Sequence, residues 1–145
     1  MGQVTATATV QIAAPADTVL SALADYASVR SAILPANYRE YRVVEGGTGA
    51  GTVVGWVLQA TEKRSRDVLA DVAVAGDTIT ETDRNSTMVT TYRVTAAGAG
   101  AQVETTTSWK GAGGIGGFFE RTFAPKGLNR IQNELLGNLK TRLEN

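Results

Sequence analysis

The chain opens on a strict alternation. Val4, Ala6, Ala8, Val10 and Ile12 fall on one side, and Gln3, Thr5, Thr7, Thr9 and Gln11 on the other. A period of two built from Val and Thr predicts a half-buried strand. Pro15 ends it and suits the first turn of a helix, with Asp17 at the positive end and Val19, Leu20 and Leu23 as its apolar side. Asp25-Tyr26 reads as a break. Ser28 is placed to cap a second short helix carrying Val29 and Ile33, which Leu34-Pro35 terminates. From there the pattern is strands only, at residues 38–45, 52–60, 64–75, 78–83, 87–95 and 101–110, separated by short turns. Neighbours joined by such short turns must be antiparallel, because a parallel pair needs a long crossover. From Phe118 the period turns helical. Phe119, Phe123, Ile131, Leu135, Leu139 and Leu143 recur mostly four apart, and Pro125 predicts a kink.

The order is strand, two short helices, six strands, one long helix. An antiparallel sheet with an apolar face must cover it, and only the last helix is large enough. The expected fold is α+β: a curved seven-stranded antiparallel sheet around a long C-terminal helix, in a single domain over residues 1–145. No internal repeat or domain linker is visible, and the Gly-rich stretch 111–117 reads as a strand-to-helix hinge.

Composition narrows the chemistry. The 145 residues include no Cys and no His. Disulfides, thiolate nucleophiles, Ser-His-Asp machinery and imidazole or thiolate metal sites are therefore excluded. Fourteen basic and fourteen acidic side chains cancel. No whole-molecule field is left to gather nucleic acid. The Lys63-Arg64-Ser65-Arg66 cluster is too short for such a patch, and the 111–117 glycines lack the Lys-Ser/Thr ending of a phosphate loop. The expectations are no cofactor, no metal, no nucleic-acid partner, no integral membrane segment and a cytoplasmic location.

Three stretches carry a resemblance. Gly49-Ala-Gly-Thr52 precedes a strand with Trp56. Asn85-Ser86 precedes Thr90-Thr91-Tyr92. The third runs from Trp109 through Gly111–Gly117 and Phe118 to Gly127. With the element order, these resemble the polyketide cyclase/dehydrase branch of the SRPBCC (START-like, birch-pollen-allergen-like) superfamily. The resemblance spans nearly the whole chain and implies the helix-grip fold with a deep apolar cavity between sheet and long helix. The sequence agrees on its own terms: 16 Gly and many Ala and Thr put small side chains on the strands, which leaves space inside.

Alternation assigns the cavity-facing residues. They are Val54, Trp56 and Leu58 on one strand; Arg66 and Val68 on the next; and Ile79 and Glu81 on the third. Met88, Thr90 and Tyr92 follow, then Thr105, Thr107 and Trp109, with Phe119 and Phe123 from the long helix. Trp109 suits plain core packing as well as a pocket wall. Tyr26 and Tyr38 suit a lid at the cavity mouth or an exposed edge. A lone buried charge is costly, so inward Arg66 and Glu81 are expected to pair, as a polar end to the pocket or as an edge pair, or else to be solvated at the rim.

Three functions fit. The first is binding of a hydrophobic small molecule, such as a lipid, polyketide or isoprenoid. The second is a polyketide aromatase/cyclase or dehydratase in which Arg66 polarises a carbonyl and Glu81 or Tyr92 moves protons. The third is a protein-interaction module with a vestigial pocket.

Overall fold

The computed structural model describes residues 3–61, 64–110 and 125–144. Strand β1 (Gln3–Ile12) leads into helices α1 (Ala16–Leu23) and α2 (Val29–Ile33). Six strands follow: β2 (Tyr38–Glu45), β3 (Val53–Thr61), β4 (Arg64–Ala75), β5 (Thr78–Asp83), β6 (Val89–Ala97) and β7 (Gly100–Lys110). Helix α3 (Pro125–Glu144) closes the described chain. Phe119, Phe123 and the 111–117 hinge lie outside the described residues, as does the chain before Pro125 on which the expected kink depends.

All seven strands form one antiparallel curved sheet in the order β1-β7-β6-β5-β4-β3-β2. From β2 onward each strand pairs with the next in sequence, whereas β1 pairs with β7 at the far edge. The short segment between β1 and β2 must therefore cross the whole width of the sheet. The helices α1 and α2 make that crossing, with α1 packed on β6 and β7 and α2 against α3. This is how a helix residue near position 30 comes to rest over the middle of the sheet.

The crossing is clamped at its midpoint by the β2–β3 turn. Gly47 O accepts from Tyr26 N at 2.9 Å and from Ala27 N at 3.1 Å, and Gly49 N donates to Ala24 O at 2.9 Å. Thr52, fully buried, accepts from Gly47 N through its hydroxyl at 3.2 Å. Gly46 and Gly49 have φ of +69° and +72°, a region side chains disfavour. The Gly49-Ala-Gly-Thr52 stretch is thus a backbone clip for the α1–α2 connection. Ser28 does not cap α2 with its side chain. Its N–H donates instead to Asp25 Oδ1 at 3.0 Å, which tightens the same connection.

The inward faces follow the alternation closely. Val54, Trp56, Leu58, Val68, Ile79, Met88, Thr90, Tyr92, Thr105, Thr107 and Trp109 are all buried. Strand β2 departs from it. Glu40 has φ +53°, and the β2–β3 register shifts between Arg39 and Arg42. This bulge adds one residue, so Tyr38 and Tyr41, three apart, both face Trp56, at ring-centroid distances of 5.4 and 6.5 Å. Across the concave face, α3 buries Leu128, Ile131, Leu135, Leu136 and Leu139 at helical spacing. Its end is tied to β1 by Ala13 N donating to Glu144 Oε2 at 2.7 Å and Lys140 Nζ to Gln11 O at 3.0 Å.

Gly46 and Gly49 separate two costs. A Cβ on Gly46 would lie 3.0 Å from the Thr52 Cα, whereas one on Gly49 would meet nothing within 4 Å. Gly49→Ala is expected to lower stability by about 1–2 kcal/mol through φ alone. Gly46→Ala should cost more, because Thr52 must also move. Urea unfolding of both variants checks the order, and equal midpoints would refute the clip.

Candidate functional site

A buried cluster of charge and phenols occupies the centre of the concave face. Glu81 lies inward on β5, opposite Val72 of β4 and Thr90 of β6, and is only 5% exposed. Its cation is Arg30 from α2, at 2.9 Å and 2% exposed. Arg30 also donates to Leu23 O and to the Tyr92 hydroxyl, both at 3.0 Å. Its guanidinium sits 4.6 Å from the centroids of both the Tyr26 and Tyr92 rings. Tyr26 donates its phenolic proton to Glu81 Oε2 at 2.5 Å. Tyr41 in turn donates to Tyr26 O at 2.7 Å, which fixes the backbone behind that phenol. One cation, one anion and two phenols are thus linked directly in a region removed from water.

Burial governs the protonation of this group. It pushes the Tyr26 phenol well above its ordinary value of 10.0, and the Glu81 charge adds to the push while Arg30 partly offsets it. Burial raises Tyr92 and Tyr38 likewise, against the pull of Arg30. Tyr41, nearer the edge, is raised by burial to about 12. Burial alone would weaken the charge on Arg30, but Tyr92, Glu81 and Tyr26 around it outweigh that, and it stays a cation. These phenols are neutral donors at physiological pH.

Arg66 is not the partner of Glu81. In the β4–β5 register Glu81 faces Val72, six residues along β4 from Arg66. At about 3.3 Å per residue that separation is roughly 20 Å, beyond the reach of the two side chains. Arg66 lies opposite Leu58 and donates to Asn85 O at 2.8 Å, holding the β5–β6 turn. Asp83, also inward, anchors the same turn by accepting from Leu69 N, Asn85 N and the Ser86 hydroxyl at 3.1, 3.0 and 2.6 Å. The Asn85-Ser86 pair is therefore turn architecture. Tyr26, read from sequence as a lid or an edge residue, is fully buried.

Most of the other assigned residues are buried on the same sheet as Glu81. Trp56 lies under Tyr38 and Tyr41. Thr90 and Thr107 hydrogen bond through their hydroxyls at 2.9 Å. Thr105, opposite Tyr92, and the Trp56 indole N–H are buried polar groups without a partner among the described residues. Arg30 was missed by the sequence reading. One signal points to it: Val19, Leu23, Tyr26, Arg30 and Ile33 are spaced 4-3-4-3, so Arg30 occupies an apolar position of a helix-period stripe.

Comparison with known proteins agrees with this architecture. A family profile described as polyketide cyclase / dehydrase and lipid transport matches residues 3–144. The chain belongs to that family. The KanY protein, known from an NMR solution structure, is 54% identical over 100% of both chains, with a TM-score of 0.92. A protein from Thermus thermophilus is 19% identical over 97% of both chains, with a TM-score of 0.78. The di-domain ARO/CYC BexL is 17% identical and has a TM-score of 0.73, over 99% of this chain and 50% of that one. No curated protein sequence matches. The fold is the helix-grip fold of the SRPBCC superfamily. Among the described residues, no acidic cluster could hold a metal ion and no helix is long and apolar enough to cross a membrane.

Two outcomes are expected of the cluster. Arg30→Met leaves Glu81 buried without its cation and should cost about 3–5 kcal/mol, read from urea unfolding. Alkaline titration tests the phenols. A group whose proton is held more tightly when folded contributes stability that is intact below its unfolded pKa and lost as pH rises past it. Phenolate absorbance should therefore stay flat through pH 10.0, the ordinary value for the four tyrosines, and then rise together with loss of sheet circular dichroism. Ionisation near 10 in an intact fold would contradict the burial.

Proposed function

We propose that the protein binds a hydrophobic small molecule, of lipid, polyketide or isoprenoid type, between the concave face of the sheet and α3. One observation carries this reading. The interior holds the Thr105 hydroxyl and the Trp56 indole N–H without partners on strands whose inward positions include the small residues Ala6, Ala8, Ala70 and Ala101. Buried polar groups in folded proteins are nearly all paired, so orphans facing an interior lined by small side chains call for a guest. Family membership, with lipid transport in its description, supports the same reading.

A catalytic reading, ring closure or dehydration of a polyketide, has its own support in the Tyr26–Glu81 hydrogen bond beside Arg30. There a carboxylate, a phenol and a cation converge, as proton transfer at a carbonyl requires. Arg30 takes the carbonyl-polarising place first expected for Arg66. The similarity to an ARO/CYC domain is one of fold.

Native mass spectrometry of the purified protein, followed by solvent extraction, separates the readings. Binding predicts a mass above that of the polypeptide and recovery of an apolar compound. Release of a cyclised product from a poly-β-keto surrogate, lost in Glu81→Gln, would establish catalysis instead. A bare polypeptide mass, with no hydrophobic compound raising the Tm, would overturn both.

A further inference from the structure

The hydrogen-bond inventory around Tyr92 limits what such a guest can be. The Tyr92 oxygen accepts from Arg30. Its own proton has no acceptor among the described residues, although Tyr92 is 1% exposed. Burial holds that proton in place. Among the described residues Arg30 Nε–H also lacks a partner, and so does the hydroxyl of Thr105, the residue paired with Tyr92 across β6–β7. Two of these three groups can only donate in this arrangement, and the third can donate as well. An ammonium ligand, itself only a donor, would leave the Tyr92 and Arg30 protons unpaired.

Charge removes the other alternative. The single positive charge of Arg30 is already matched by Glu81 at 2.9 Å. A carboxylate or phosphate placed against Tyr92 would be a second anion facing one cation in a region removed from water, which is costly. A neutral acceptor meets no such penalty. A carbonyl oxygen has two lone pairs and no proton, which suits a buried donor proton such as that of Tyr92.

We propose that the interior takes a neutral, carbonyl-bearing apolar molecule, whose oxygen accepts the Tyr92 hydroxyl proton beside Arg30. This rests on the ligand-binding reading and names the ligand class within it. Arg30 acts on the ligand through Tyr92: by donating to the phenol oxygen it strengthens the phenol as a donor.

Three rigid probes of one shape supply the test: fluorene, 9-fluorenone and fluorene-9-carboxylate, titrated against tryptophan fluorescence. The ketone should bind about 5- to 10-fold more tightly than the hydrocarbon, the value of one net hydrogen bond. The carboxylate should bind more weakly than the hydrocarbon. In Tyr92→Phe the ketone-to-hydrocarbon ratio should fall to about one. The carbonyl stretch of carbon-13-labelled fluorenone on the unaltered protein gives a readout independent of any variant, and it should move to lower wavenumber on binding. Equal affinity for ketone and hydrocarbon with an unshifted band, or tightest binding of the carboxylate, would overturn the inference and leave hydrophobic binding standing. Failure of all three probes to bind would overturn both.

Discussion

A guanidinium and a carboxylate 2.9 Å apart, each at least 95% removed from solvent, form the constraint around which this molecule is arranged. Desolvating two charges costs several kcal/mol each, and well-packed apolar residues of similar volume often serve stability equally well. The pair does something packing alone would not: it fixes where α2 lies on the sheet. Arg30 comes from a helix of five residues, which has little stability of its own. Glu81 comes from the middle strand, β5. The Gly-rich clip at 46–52 and the Tyr41 hydrogen bond to Tyr26 O act to the same end from the other side. Together they hold two phenols against the guanidinium.

The physical character of the interior follows. It is apolar at the walls, through Trp56, Leu58, Ile79 and the leucines of α3, and polar at one point. That point has zero net charge and a surplus of donors. Such a polar point would select a guest by hydrogen bonding to a neutral group more than by electrostatic attraction. It fits the proposed binding role, and the same residues would supply the proton-handling groups of a cyclase.

How much of this was legible in the sequence depended on the range of the interaction. The inward faces of β6 and β7 were readable because one face is buried and the side-chain period is two. Register between strands was not. Arg66 and Glu81 do lie on the same face, yet which residue of β4 sits opposite Glu81 depends on the Gly76-Asp77 turn, and the answer is Val72. The bulge at Glu40 was hidden because it uses no glycine, and it alone brings Tyr38 and Tyr41 to Trp56 together. Arg30 escaped notice because the stripe that marks it as inward runs across the break between α1 and α2, and its partner lies fifty-one residues away on another element.

The most direct measurement is hydrogen exchange at the arginine side chains, followed by nitrogen-15 NMR after transfer to heavy water near neutral pH. Arg30 Nε–H is buried and its guanidinium is held by Glu81, Tyr92 and Leu23 O, whereas Arg39, Arg84 and Arg93 are exposed. One guanidinium signal should persist long after those of the exposed arginines have vanished, and it should collapse to their rate in Glu81→Gln. If every arginine exchanges at the solvent rate, α2 is not anchored over β5, and the polar centre of the interior does not exist as described.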